Sequence, residues 1–215
     1  MPTKPTAPIT PTRPDRRAAA PAGIPVRRGA RRGYRAVVRH DNHADRQSWR
    51  VTSGEPAPGA VERLLRLLPG WFGIESSVLE YVADARTRPA YEAWPDGQQA
   101  AESSGVLLAA RHSPASAEIY LMAVDPAWHR RGAGRALVAA LEADLVAEGV
   151  EFLQVKTQGP AHPDAGYAKS RQFYASVGFQ PLEEIYGLWP GLPCLIMIKS
   201  LRTGKRPSTD SHPGR

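Results

Sequence analysis

The segment Ala117–Gly149, AEIYLMAVDPAWHRRGAGRALVAALEADLVAEG, restricts the fold more than any other part of this sequence. Glu118–Val124 is a short run of β-branched, aromatic and long apolar residues, which suits a buried strand. Asp125-Pro126 ends it, because proline cannot continue a ladder. From Gly134 onward Leu137, Val138, Leu141 and Leu145 recur at helical spacing, and Gly149 stands where a helix stops. Side chains alternate along a strand, so Glu118, Tyr120 and Met122 are expected on one face.

Between strand and helix lies Arg130-Arg131-Gly132-Ala133-Gly134-Arg135-Ala136. A helix start leaves backbone N–H groups without partners and carries the positive end of the macrodipole. Small residues there let an anion approach closely, and the arginines add positive charge. The expected ligand is a phosphate or pyrophosphate. On the heptapeptide alone, the pattern equally describes a tight turn with a solvated basic rim. It is not a Walker A loop, since no Lys-Ser/Thr follows the glycines, and it lacks the third glycine of the Rossmann fingerprint.

The heptapeptide resembles the acetyl-CoA pyrophosphate loop of the GNAT superfamily of N-acetyltransferases, Arg/Gln-x-x-Gly-x-Gly/Ala. A second block, Phe173-Tyr174-Ala175-Ser176-Val177-Gly178-Phe179, is similar to the family's F-Y-x-x-x-G-F segment. The two blocks stand in the family's order, and the resemblance spans roughly Trp49 to Leu201. It implies an α/β fold of mixed α+β character: a twisted, V-split mixed sheet flanked by helices, with acetyl-CoA wedged in the gap.

The rest of the chain fits one such domain over residues 47–201. Trp49–Thr52 is read as a strand, and Pro58–Leu68 as a helix with Val61, Leu64, Leu65 and Leu68 on one face. A second helix runs to Ala85, capped by Ser76 or Ser77. Strands follow at Pro89–Trp94 and Gly105–His112, joined by an irregular hairpin through Gln98–Ser104. After the central unit come a strand at Glu151–Thr157, a helix at Tyr167–Val177 closed by Gly178, and strands at Phe179–Tyr186 and Leu195–Lys199. Gly187–Gly191 links the last two.

Composition locates the charge. The chain is net +7, yet residues 1–50 hold twelve Lys and Arg against Asp15, Asp41 and Asp45, so the remainder is slightly acidic. That mildly suits a cationic amine acceptor. Residues 1–46 are rich in Pro, Ala, Thr and Arg and are read as a disordered tail, with Ala36–Val38 as a stray strand at most. Nucleic-acid contact is expected, if at all, from this tail alone. Residues 202–215 are read as a loose C-terminal tail. No apolar run is long enough to span a membrane, and the N-terminus has no apolar h-region. A lone cysteine, Cys194, fits a reducing cytoplasm and is read as a small buried hydrophobe. No metal is expected; His40-x-x-His43 is the sole histidine spacing of note. A homodimer is left open.

Acetyl transfer to an amine needs a proton acceptor for the amine, donors for the carbonyl oxygen and a proton for the departing thiolate. Glu118 is the favoured base, with pairing to an arginine such as Arg111 as its structural alternative. Its place before the glycine turn also resembles that of the base in histone-type members of the family. The resemblance makes Tyr174 the acid beside the cofactor sulfur; packing as a core tyrosine is its alternative. It also implies backbone contacts from Met122, Ala123 and Val124 to the pantetheine arm. An asparagine of the family is replaced by Tyr167, which hands that hydrogen bond to Tyr167 or Ser170. Trp71, Phe72, Tyr120 and Trp189 are candidates for the acceptor pocket, with anchoring between helices as the alternative for the first two. The function expected is acetyl transfer to a small-molecule or peptide amine by direct attack in a ternary complex. The alternative is a non-catalytic acyl-CoA-binding regulator.

Overall fold

The computed structural model describes residues 47–97 and 100–202. The expected tails, the Ala36–Val38 strand and the His40–His43 pair lie outside these residues. The elements in chain order are β1 (Trp49–Ser53), α1 (Pro58–Arg66), α2 (Glu75–Asp84), β2 (Ala90–Pro95), β3 (Gly105–Ser113) and β4 (Ser116–Val124). A 3-10 turn (Pro126–Trp128) leads to α3 (Ala133–Ala147), then β5 (Phe152–Gln158), α4 (Ala165–Ser176), β6 (Gln180–Trp189) and β7 (Leu192–Ser200).

The seven strands form one mixed sheet in the order β1-β2-β3-β4-β5-β7-β6, and only β4 and β5 run parallel. The crossover through α3 causes that one parallel pair. Each face of the sheet is covered. On one face Leu137, Val138, Leu141 and Leu145 of α3 pack on Leu107, Ile119, Leu153 and Met197. On the other, Val61, Leu64 and Leu65 of α1 and Val78 and Tyr81 of α2 pack on Val106, Leu108, Leu121 and Ala123. Burying one such leucine stabilises the fold by about 1.5–3 kcal/mol.

The β4 strand departs from simple alternation. Leu108 of β3 pairs with Leu121 and Ala109 with Ile119, so Tyr120 is an extra residue in a β-bulge. Before the bulge, Ala117 and Ile119 face α3; after it, Met122 and Val124 do, while Leu121 and Ala123 turn to the α1–α2 side. Glu118 and Tyr120 therefore do not share a face with Met122, contrary to the period-two expectation. One inserted residue exchanges the faces.

Several boundaries also differ. The N-cap of α2 is Ile74 with no side-chain cap, and Ser77 is buried inside the helix rather than capping it. The α4 helix starts two residues earlier than expected, capped by Asp164, whose carboxylate accepts the Tyr167 N–H at 2.9 Å. The last hairpin is tighter: Trp189 pairs with Leu192, so only Pro190-Gly191 remain as its turn.

Candidate active site

Parallel pairing between β4 and β5 covers only Ser116–Ile119 against Phe152–Val155. Beyond Ile119 the two strands splay, so the backbone edge of Tyr120–Val124 faces a gap. The Val124 carbonyl accepts from His129 Nε2 at 2.8 Å. At the root of the splay lies a cavity of about 260 Å³. Glu118 and Tyr174 both line it, together with Met122, Tyr167, Ser170, Trp71, Phe72, Tyr120 and Trp189. Tertiary folding thus collects both candidate catalytic residues, all four candidate acceptor-pocket residues and three of the candidate cofactor-binding residues in one place.

Glu118 is only 5% exposed. Lys156 Nζ and His112 Nε2 each lie 2.6 Å from its Oε2, and Gln154 Nε2 donates to the same atom at 3.3 Å. Glu118 makes no bond to Arg111, which instead pairs with Glu148 at 3.0 Å. Every bond falls on one carboxylate oxygen. Oε1 has no partner among the described residues and remains available on a cavity-lining side chain. Lys156 and His112 were not singled out in the sequence. The signal for Lys156 was present in EFLQVKTQ, where Gln154 and Lys156 alternate with Leu153 and Val155 and mark a polar face of β5. Nothing in the sequence brings His112, at the end of β3, to the same oxygen.

Tyr174 is buried against Phe173 and Phe179, with ring centroids 5.3 and 5.6 Å away in edge-to-face geometry. Burial pushes its phenol well above the usual tyrosine range. Its hydroxyl makes no hydrogen bond among the described residues, which leaves the O–H free at the cavity. The ring is part of the core, and the hydroxyl is not committed to a protein partner.

The glycine–arginine turn lies at the N-terminus of α3. Gly132, at φ 96°, is the N-cap and offers no side-chain cap. The first-turn N–H groups therefore keep their capacity for an anion. A Cβ at Gly132 would come no closer than 3.5 Å to Trp49, so the cradle is open; Gly134 is closed by Phe173, whose Cζ would lie 3.2 Å from a Cβ. The Trp49 indole donates to the Arg131 carbonyl at 2.8 Å and stands edge-on to Trp128 at 5.4 Å, fixing the turn to β1. Arg130 takes φ 62°, strained for a side-chain-bearing residue. Arg135 is occupied, reaching the Ser176 carbonyl and hydroxyl at 3.3 Å. Of the seven turn residues, none lines the cavity; Ala123 and Val124 do not either.

An acetyltransferase (GNAT) domain model matches residues 90–181. Over those residues the chain matches the GNAT acetyltransferases. Its fold is also that of solved GNAT structures. A GNAT-family protein from Desulfovibrio desulfuricans superposes with TM-score 0.57 at 20% identity, over 71% of this chain and 99% of that one. The ribosomal-protein-S18-alanine N-acetyltransferase from Escherichia coli gives 0.54 at 19%, over 73% and 97%. An aminoglycoside 6'-N-acetyltransferase complexed with coenzyme A gives 0.55 at 19%, over 70% and 97%. No curated protein sequence matches the chain. The splay between β4 and β5 lies along β4, and the uncapped start of α3 follows that strand in the chain.

Two remaining expectations concern ions and thiols. Among the described residues, no group of three His, Cys, Asp or Glu side chains converges. Cys194 is fully buried on β7, and burial pushes its thiol up to about 11. No helix among the described residues is long and apolar enough to cross a membrane.

Proposed function

We propose that this chain transfers an acetyl group from acetyl-CoA to a primary amine, with both substrates held together in the β4–β5 cleft. The observation that carries the reading is the pairing in one cavity of a buried carboxylate with one free oxygen, Glu118 Oε1, and a buried phenol with a free hydroxyl, Tyr174.

The residues present suit the co-substrate. The uncapped α3 start with Gly132, Ala133 and Gly134, rimmed by Arg130, Arg131 and Arg135, would take the pyrophosphate. The backbone edge of Met122, Ala123 and Val124 that β5 leaves unpaired, with Tyr167 or Ser170, would take the pantetheine arm, and Ala136 closes the first turn behind it. When bound, acetyl-CoA supplies the acetyl group in thioester form. Glu118 accepts a proton from the amine at Oε1 while Lys156, His112 and Gln154 hold Oε2 and set the orientation. Tyr174 keeps a proton on its hydroxyl until a thiolate, with a conjugate acid near pKa 8.5, needs one. The aromatic wall of Trp71, Phe72, Tyr120 and Trp189 excludes water and receives the acceptor. No residue is required to form a covalent bond, because proximity does that work.

The domain boundary belongs to the same reading: residues 47–201 carry the activity, and the basic tail does not. So does a cytoplasmic location, which suits a single buried thiol.

The test is calorimetric titration of acetyl-CoA, CoA and desulfo-CoA into the purified chain, followed by a thiol-release screen over amines. Micromolar binding with amine-dependent thiol release supports the reading. Binding without thiol release from any amine turns it into the non-catalytic acyl-CoA-binding regulator. No binding overturns both.

A further inference from the structure

We infer that the acceptor is an apolar amine that also carries a carboxylate-class anion, and that Arg88 receives the anion. This rests on the acetyltransferase reading above and names the substrate class of that site.

Among the described residues, three buried polar atoms lack a hydrogen-bond partner: Arg88 Nε, Tyr167 Oη and Trp189 Nε1. All three belong to side chains that line the cavity. Each is a donor, and buried donors are rarely left without an acceptor in a native protein. A ligand that completes them must bring acceptor atoms. With the Tyr167 hydroxyl assigned to the pantetheine arm in the reading above, Arg88 and Trp189 remain for the acceptor.

Arg88 is held for such a role. Its Cζ lies 3.8 Å from the centroid of the Tyr120 ring, which fixes the plane of the guanidinium. Its one ion pair is weak: Nη2 reaches Asp84 Oδ2 only at 3.5 Å, and that oxygen also accepts the Tyr120 hydroxyl. The guanidinium therefore keeps Nε without a partner and Nη2 only loosely held by Asp84, and Nε with Nη2 is the edge that a carboxylate binds in bidentate fashion.

The charges nearby argue the same way. Asp84 faces Arg88, and Glu118 faces Lys156 and His112. The free anionic oxygen that lines the cavity is Glu118 Oε1, enough for one ammonium group. A polyamine would set its further charges against Arg88 and Lys156. The slight acidity of the chain outside its basic tail is therefore not the charge the acceptor meets. Trp71, Phe72 and Tyr81 supply flat apolar walls around it, with Phe72 edge-on to Tyr81 at 6.0 Å.

The experiment uses the full chain and matched pairs that differ only by a carboxylate: L-phenylalanine with 2-phenylethylamine, L-tryptophan with tryptamine, L-leucine with isoamylamine. Thiol release from acetyl-CoA and calorimetric binding to CoA-loaded protein are both read. The expected result is at least a tenfold higher kcat/KM for the carboxylated member of one or more pairs, a ratio that collapses toward one in Arg88→Met. CoA titration shows that the variant is folded; should it fail to fold, Arg88→Lys, which removes the fork and keeps the charge, and Trp189→Phe, which removes only the indole N–H, replace it, each expected to shrink the ratio. Equal or reversed preference in every pair overturns the inference, as does a preference that survives these variants. Carboxylate binding that Arg88→Met weakens, with no thiol release, upholds the anion site and sinks the transferase reading. Absence of both binding and turnover for every carboxylated member overturns the inference, and thiol release from bare amines alone then leaves acetyl transfer standing.

Discussion

Lys156 grips Glu118 by a single oxygen: its Nζ lies 2.6 Å from Oε2, and Oε1 is left without a partner. The pair is built by sheet register. Glu118 stands opposite Gln154 on β5, and Lys156 is the next residue on the same face. A carboxylate fixed at one oxygen and open at the other is oriented without being consumed.

That geometry predicts the behaviour of Glu118→Gln. The amide keeps the shape but cannot accept a proton from an ammonium. We expect kcat to fall by about 10²–10⁴ with acetyl-CoA affinity retained. Steady-state kinetics beside a binding isotherm decide it; a loss of less than threefold would mean that Glu118 only packs.

Lys156→Met separates orientation from stability. It leaves a buried carboxylate with only His112 and Gln154. Breaking such a pair costs about 3 kcal/mol, to be read from the urea midpoint. Unchanged stability would show that the Lys156–Glu118 contact does not form in solution.

Tyr174→Phe removes a hydroxyl that has no partner among the described residues. Stability should change by less than about 1 kcal/mol, while turnover falls far more than acetyl-CoA affinity. Equal losses in turnover and affinity would make the tyrosine structural.

Gly134→Glu places bulk and negative charge where a Cβ would already lie 3.2 Å from Phe173 Cζ. Acetyl-CoA affinity should drop more than about 100-fold, since the dipole and arginines then face a built-in anion. Unimpaired binding by calorimetry would remove this turn from the cofactor site.

Alkaline stability follows from the tyrosines. Burial is the largest cause raising Tyr81 to about 12, and it also raises Tyr91, Tyr120, Tyr167 and Tyr174. Below the unfolded value near 10, both states are protonated and the contribution is fully present. Above it the unfolded chain loses protons that the native state keeps, so stability falls with pH by about 1.4 kcal/mol per unit for each group until its raised value is passed. Melting temperatures from pH 8 to 11.5 should be flat to about 10 and then drop steeply. A flat profile to 11.5 would mean that these phenols are accessible.

The strand–turn–helix unit and the core faces of α1 and α3 were readable from the order of residues. Each rests on local periodicity or on a short contiguous motif, and such signals survive without knowledge of what packs on them. The bulge at Tyr120 was not readable. An extra residue in one strand is visible only against the register of its partner, and it reversed the face assigned to Met122. The same holds for the grip of His112 and Lys156 on Glu118 and for the stacking of Arg88 on Tyr120. These join side chains from separate strands, or from a loop and a strand, through pairing that no local pattern encodes. The sequence by itself determined which chemical groups are available; the tertiary structure decided which oxygen is free, which donors are unpaired and therefore where an acceptor can sit, because those depend on distances set by sheet register and not by spacing along the chain.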